Sequence, residues 1–392
     1  MGASSTRTKV FYFIPTLVQG GSERQILELV RRLPERFEPV VCLYQDKIHY
    51  RHLLPAGQPK YVLDNEGMTV AGFRRLVAAM RAEQPAIVHS YLDRANFWGR
   101  LAALRARVPV VISSCRARMM EPQYLLAERF LAKRSALVIV NSIGIERELH
   151  QRARVPRDRI RVIHNFLDLD HFRPPTADER QQARQRWGLD DEQRVLLMPG
   201  RISMQKHQVG LLLALDRLAR AGRLPADVVV LLAGRRSAVA VDRLVARIAG
   251  RRRLRGQVRL LGNQVDVRSL YWAADVLTMP SLWEGLPNAV LEGSSCGLPG
   301  LVSHAANLDA LIEPNVGGWE VPTGNHWALA DVLARDVLST PRAALREMGQ
   351  NNRQRMERCF APARVLEDML GVYDALLSGE RGVMRQWADD ER

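Results

Sequence analysis

The sequence predicts an α/β protein built of two doubly wound (Rossmann-like) domains facing across a cleft. Three observations lead there. At 392 residues the chain is long enough for two domains of ordinary size. Short apolar runs alternate with segments of helical period, the pattern of buried parallel strands joined by helices. The alternation stops at Phe172-Arg173-Pro174-Pro175-Thr176, where the prolines bar a continuing helix, and restarts after a polar stretch ending at Gly188.

In chain order, Val10–Ile14, Val40–Leu43, Ile87–Ser90, Val110–Ser113, Leu137–Asn141 and Ile160–Ile163 read as strands of the first domain. Gln25–Leu33, Val70–Arg81, Ala95–Arg105, Tyr124–Arg134 and Ile143–Arg152 read as its helices. Val195–Pro199, Val228–Ala233, Val258–Leu260, Val276–Met279 and Pro299–Val302 restart the alternation, and Trp319–Pro322 after Gly317-Gly318 closes the second sheet. Arg342–Cys359 and Val365–Ser378 read as terminal helices, and the polar tail after Gly379 as loose. The expected division is 1–172, 173–364 and a terminal segment 365–392. Ligands of doubly wound sheets bind outside the carboxyl ends of the strands, so the residues just after strands are the ones to examine.

Composition narrows the class. Hydrophobic residues at 47% and charged residues at 25% are globular values and exclude a disordered or collagen-like chain. No apolar run approaches the length of a membrane span, so the expectation is a protein that is soluble or bound at a membrane surface. Cys42, Cys115, Cys296 and Cys359 fit neither a metal-ligand spacing nor a disulfide framework, and a reducing, cytoplasmic compartment is expected. Val10–Val18 faintly resembles a signal peptide but lacks a small-residue cleavage site, and Pro15 interrupts it. Met1–Thr6 formally fits a myristoylation motif. The net charge of +15 is uneven: residues 1–172 carry 27 Lys and Arg against 16 Asp and Glu, the rest 30 against 26. A basic amino-terminal half predicts an anionic partner.

Three loops carry the chemistry. Gly20-Gly21-Ser22-Glu23 precedes the first helix, where glycines allow close backbone approach, Ser22 suits an N-cap, and a helix amino end favours an anion. Gly200-Arg201-Ile202-Ser203-Met204-Gln205-Lys206 follows a strand, and Arg201 with Lys206 is placed to clamp a phosphate. Pro280–Glu292 follows Val276–Met279. Pro287 suits a first helical turn, the amides of Asn288, Ala289 and Val290 would then point at a diphosphate, and Glu292 would reach sugar hydroxyls while Glu284 sits on the loop before them. Two glutamates also admit a hydrolase reading, although eight residues of helix would set them roughly 12 Å apart, beyond the 5–5.5 Å of a retaining glycosidase pair.

This ordered series resembles the retaining glycosyltransferases of family four, of GT-B fold. Val162-Ile163-His164-Asn165 with Phe172-Arg173-Pro174, Gly262-Asn263 with Asp266-Val267, Ala274-Asp275-Val276 and Gly297-Leu298-Pro299 extend the resemblance over about residues 10–325. It implies transfer of a sugar from a nucleotide sugar, with retained configuration and no metal or cofactor, to a glycan or lipid-linked acceptor of the surface-polysaccharide, lipopolysaccharide or glycolipid kind. By position it assigns Glu284 to the donor sugar, Glu292 to the ribose, Arg201 and Lys206 to the diphosphate, and Gly20 and Gly21 to the phosphate loop. Gly285, Leu286, Asn288, Ala289 and Asn263 join the donor side, and the terminal helix is expected to cross back onto the first domain. The acid pair Asp168 and Asp170 is accordingly not expected to bind metal.

Two departures stand out. Where the family often has His-x-His, this chain reads His89-Ser90-Tyr91-Leu92-Asp93, leaving His89 as a candidate participant and placing a non-titrating Tyr91 at the second position. Gly234-Arg235-Arg236 stands in place of Gly-x-Gly, so that either Arg235 meets phosphate instead or the nucleotide pocket differs. On the acceptor side the candidates are Tyr91, Asp93 and Arg116. Met119-Met120, Tyr124-Leu125-Leu126 and Phe130-Leu131, interleaved with Arg116, Arg118, Arg129, Lys133 and Arg134, read either as an anionic-membrane surface on the inner face of the cell membrane or as a helix with a buried face. Rival classes are a nucleotide-sugar epimerase of the same fold and a basic nucleic-acid-binding protein. The latter is suggested by Arg251-Arg252-Arg253 but opposed by the lack of any nucleic-acid-binding signature.

Overall fold

The computed structural model describes residues 7–18, 20–63, 67–116, 121–236 and 239–379. Residues 1–6, 117–120 and the tail lie outside it, so the myristoylation motif and Arg118, Met119 and Met120 have no structural counterpart here. The chain forms two compact units, residues 1–166 with 363–392, and 167–362.

In the first unit, β1 (Thr8–Ile14), β2 (Phe37–Leu43), β3 (Tyr61–Val62), β4 (Ile87–Tyr91), β5 (Val110–Cys115), β6 (Leu137–Val140) and β7 (Ile160–Val162) form one parallel sheet in the order β3-β2-β1-β4-β5-β6-β7. β1, the stretch that faintly resembles a leader, lies in the interior of the sheet, with Val10–Ile14 wholly buried. Its connections are α1 (Gly21–Arg32), α2 (Val70–Glu83), α3 (Asp93–Ala106), α4 (Pro122–Leu131) and α5 (Ile143–Arg152). Thr69 and Ser142 start α2 and α5 by accepting from the amides of Gly72 (3.0 Å) and Ile145 (3.2 Å). β3 escapes sequence patterning because two residues are too few to show a period.

The second unit begins with α6 (Ala177–Arg186), followed by β8 (Arg194–Pro199), α7 (Gln208–Arg220), β9 (Val228–Ala233), α8 (Val239–Ala249), β10 (Val258–Gly262), α9 (Arg268–Ala273), β11 (Val276–Met279), α10 (Asn288–Ser295), β12 (Gly300–Ser303), β13 (Gly318–Val321), α11 (His326–Val332) and α12 (Arg342–Cys359). Its sheet is parallel in the order β10-β9-β8-β11-β12-β13. α6 lies in the stretch read as merely polar. It has no apolar stripe, but Thr176 and Glu179 form a capping box, and buried Arg184 donates to the carbonyls of Ala273 (2.9 Å), Asp190 (2.6 Å) and Gln193 (2.7 Å).

The observed division falls at Phe166/Leu167 rather than after Phe172, because Leu167 and Phe172 pack into the core of the second unit with Tyr271 and Met356. α13 (Pro362–Ser378) returns to the first unit, where Val365, Met369, Val372 and Tyr373 join the core beside Tyr12, Val41 and Ile139. In each sheet the strand order reverses once, between β1 and β4 and between β8 and β11. These are the switch points where doubly wound sheets open a crevice at their carboxyl edge.

Candidate active site

At the second switch point β8 and β11 lie side by side, with Leu196 opposite Val276 and Leu197 opposite Leu277. The loops leaving these two strands therefore emerge as neighbours. Gly200 follows β8, and its φ of 137° is in the region that favours glycine. The Gly200 amide donates to the Ala233 carbonyl at 2.8 Å, and a Cβ on Gly234 would overlap the carbonyl oxygen of Gly200. The Ile202 amide then donates to the Arg235 carbonyl at 3.0 Å. Gly234-Arg235-Arg236 thus backs the Arg201–Lys206 loop with its main chain. The departure from Gly-x-Gly preserves the glycine that matters for packing, and Arg235 serves through its carbonyl, with its side chain exposed.

The loop closes onto its neighbour. The Leu282 amide donates to the Gln205 carbonyl at 2.8 Å, and Gln205 Nε2 to the Trp283 carbonyl at 3.1 Å. Lys206 Nζ donates to Glu284 Oε1 at 2.7 Å, and Gln205 Nε2 reaches Glu284 Oε2 at 3.2 Å. The side chains of Lys206 and Glu284 keep 15% and 6% of their exposure, so the pair sits at the solvent boundary and is largely withdrawn from water. Arg201 is exposed, with no side-chain partner among the described residues. The one carboxylate of this pair is matched by Lys206, and Arg201 on the same loop is a second cation.

α10 starts beside this pair. Pro287 is its N-cap rather than part of its first turn, and the Val290 amide donates to the Pro287 carbonyl at 2.8 Å. The sequence expectation of three open amides is thereby corrected: that of Val290 is already engaged, and Asn288 and Ala289 form the leading end. Leu286 is buried in the core, fixing the turn before α10. One turn further on, Glu292 accepts from the Tyr271 hydroxyl at 2.8 Å. The two glutamates thus answer to different partners, Glu284 to Lys206 and Gln205 and Glu292 to Tyr271. Gly262, whose carbonyl accepts from the Gly234 amide at 2.7 Å, leads to exposed Asn263 at the same carboxyl edge. Gln205 and Tyr271 are the residues that sequence reasoning missed. Gln205 was visible beside Lys206, whereas Tyr271 comes from α9 and carries no local signal.

In the first unit, Gly20 is the N-cap of α1 and Gly21 its first residue, so Ser22 is not the cap. The Glu23 carboxylate folds over Gly20, where a Cβ would strike it, and burial pushes this acid above its usual range. The expected role of His89 is corrected. It is wholly buried, with Nδ1 2.7 Å from the Tyr373 hydroxyl and Nε2 2.8 Å from Ser114 Oγ. Tyr373 also meets the Tyr12 hydroxyl at 3.2 Å. Burial holds the imidazole well below its ordinary pKa, with the charge of Arg116 acting the same way. A neutral ring with both nitrogens engaged is a packing element. Tyr91 is equally buried, its ring 4.5 Å from that of His89, and is likewise corrected as an acceptor contact.

Arg116 and Asp93 are partly buried at that edge. Arg116 Nη1 donates to Asn165 Oδ1 at 3.2 Å, and its guanidinium lies 5.5 Å from the centre of the Tyr91 ring. Asn141 Nδ2 donates to the same Asn165 oxygen at 3.3 Å. Asp93 opens α3, and its carboxyl is raised to about 6 by burial first, then by the nearby charges of Glu128, Glu121 and Glu148. Asp168 Oδ1 accepts from the His171 amide at 3.0 Å, a local turn. No cluster of three or more metal-ligating side chains occurs among the described residues.

Comparison with known proteins identifies the family. Residues 19–171 match the family model described as Glycosyltransferase Family 4, and residues 179–355 match Glycosyl transferases group 1. The chain is 25% identical over 306 residues to the UDP-Gal:alpha-D-GlcNAc-diphosphoundecaprenol alpha-1,3-galactosyltransferase of Escherichia coli, covering 76% of this chain and 77% of that one. It is 27% identical over 412 residues to a D-inositol 3-phosphate glycosyltransferase of Salinispora tropica, covering 95% and 84%. Among solved structures, Anabaena HepE in complex with UDP and glucose superposes with a TM-score of 0.80 at 20% identity, over 94% of this chain and all of that one, a likeness of fold.

Proposed function

We propose, for a chain that belongs to the family-four glycosyltransferases of GT-B fold and uses a nucleotide-sugar donor, that the edge formed by β8, β11 and α10 holds the donor and that transfer is retaining and metal-independent. The observation that carries the reading is the Lys206–Glu284 pair, held at 2.7 Å where the two strand-end loops meet, one residue beyond Gln205 and three before Pro287. A nucleoside diphosphate brings about two negative charges. Lys206, exposed Arg201 and the amino end of α10 supply the compensating field. Glu284, fixed by Lys206 and Gln205, is assigned to the sugar, and Glu292, oriented by Tyr271, to the ribose. In the reaction the bond from the anomeric carbon to the diphosphate oxygen breaks, its electron pair leaving with the diphosphate. The acceptor hydroxyl oxygen then bonds to the same face of that carbon, and its proton passes to the departing phosphate. The cations act on the charge that develops on the leaving group.

The acceptor is assigned to the first unit and taken to be a glycan or lipid-linked sugar, a reading supported by the lipid-linked acceptor in the printed name of the Escherichia coli relative. No helix among the described residues is long and apolar enough to cross a membrane. α4 instead exposes Leu126 (58%) and Phe130 (54%) one turn apart, with Arg129, Lys133 and Arg134 beside them, a pattern that suits the surface of an anionic membrane. A thermal-shift screen of UDP, GDP and ADP sugars tests the donor reading, because a ligand that binds the native state raises the melting temperature. If no nucleotide sugar raises it, the assignment fails. EDTA should leave turnover unchanged, and flotation with anionic vesicles tests the α4 surface.

A further inference from the structure

The second unit has a cavity that the donor reading does not use. It measures about 470 Å³ and lies on the opposite edge of the sheet from the Arg201 and Glu284 loops, beneath the residues that lead into β11 and β12. That volume is within the range of small-molecule sites. Its walls are fixed. Gly349 of α12 packs so closely on the Gly297 carbonyl that a Cβ there would overlap it, and the Pro174 ring lies 3.5 Å from where a Cβ on Gly297 would stand.

The lining is cationic. Arg180, Arg342, Arg346 and Arg353 line it against a single carboxylate, Asp275. That carboxylate is already engaged: Oδ1 accepts from Arg180 at 2.6 Å, and Oδ2 accepts from the Val195 amide at 2.7 Å. Arg353 is likewise satisfied by the carbonyls of Leu169 (3.0 Å), Phe172 (2.8 Å) and Ser295 (3.1 Å). Arg342 donates to the Gln193 carbonyl at 3.1 Å but meets no acid, and exposed Arg346 has no side-chain partner among the described residues. Both stand in the first turns of α12, whose amino end adds its own positive field, while Pro174, Pro175 and Leu298 offer an apolar wall.

We infer that this cavity binds a small phosphate-bearing molecule, with the phosphate on Arg342 and Arg346 and the body against the proline wall. Occupancy would be felt at the donor edge. The cavity is lined by Tyr271, whose hydroxyl holds Glu292, and by Cys296 at the carboxyl end of α10. This coupling rests on the donor reading; binding itself does not.

Titration calorimetry of the full chain with inorganic phosphate and with glucose 6-phosphate tests the inference. Binding of glucose 6-phosphate tighter than phosphate identifies a sugar-phosphate site, and equal binding an anion site for the phosphate alone. In either case Arg346→Glu should weaken binding about tenfold or more, by loss of a charged hydrogen-bonding group and charge reversal. Gln350→Trp, on the same exposed face of α12, should do so by filling the mouth. Donor turnover without the probe should stay at the wild-type value in both variants, since neither touches the loops after β8 and β11. Absence of binding by either probe at millimolar concentration overturns the inference. So does binding that both variants retain, which would place the probe at the donor edge.

Discussion

Lys206→Ala separates a lysine that binds donor from one that merely holds two loops together. In the folded chain its ammonium lies 2.7 Å from Glu284 Oε1, and the neutral Gln205 donates to the other carboxylate oxygen at 3.2 Å. Removing one member of a fully buried pair costs about 3–5 kcal/mol, and the residual exposure of this pair places it below that range, at about 2–3 kcal/mol. Glu284→Gln should cost less than Lys206→Ala, because it keeps shape and removes only charge. The double variant should fall short of the sum by about 1–2 kcal/mol, the sign of a direct interaction. Urea unfolding of the four proteins reads this cycle. Turnover reads the second role: if Lys206 neutralises the leaving diphosphate, kcat per folded molecule should drop by about 10²-fold, or about 2.7 kcal/mol of barrier. A stability loss of the expected size with kcat within threefold of wild type would refute the donor assignment and leave Lys206 as a tie between loops. Additive stability changes would refute the pair itself.

Gly234→Ala should cost more than about 3 kcal/mol in urea unfolding and abolish donor-induced stabilisation, since its Cβ would displace Gly200 and with it the Arg201–Lys206 loop. Tyr373→Phe should lower stability by about 1–3 kcal/mol by leaving His89 Nδ1 without its partner, while kcat of the folded protein stays within twofold. A kcat loss that exceeds tenfold in soluble, folded protein would restore His89 to the reaction. Asp93 binds its proton more tightly folded than unfolded, so its contribution to stability falls as pH rises from about 4 to about 6, by at most about 3 kcal/mol. Asp93→Asn should therefore be more stable than wild type at pH 7.5 and show no such advantage at pH 4. An advantage equal at both pH values would sink the account.

Strand-rich features were legible because burial writes itself as apolar runs, and a strand end followed by Gly-Arg or Pro-Ser is visible without coordinates. The neighbouring of the Arg201–Lys206 loop and the Glu284 loop was only half legible. Sequence places each after a strand, but that β8 and β11 are adjacent is a property of strand order, set by which crossovers fill which face. α6 was hidden for a different reason. Its residues bury no apolar stripe, and the helix is held by a capping box and by Arg180 and Arg184 reaching backbone carbonyls outside it. Periodicity cannot report such a helix, although Thr176 three residues before Glu179 does. His89 failed in the opposite direction. A histidine at a strand end looks alike whether it faces a ligand or the core, and what decides the matter is Tyr373, 284 residues away. α13 brings that hydroxyl onto the ring, and Ser114 on β5 occupies the other nitrogen. Once both nitrogens are taken, Tyr at position 91 becomes intelligible, for its ring packs at a tilt against His89, 4.5 Å between centroids, and is buried with it. His89 and Tyr91 thus belong to the core, and the polar groups beside them are Arg116 with Asn141 and Asn165, which are joined by hydrogen bonds at Asn165 Oδ1.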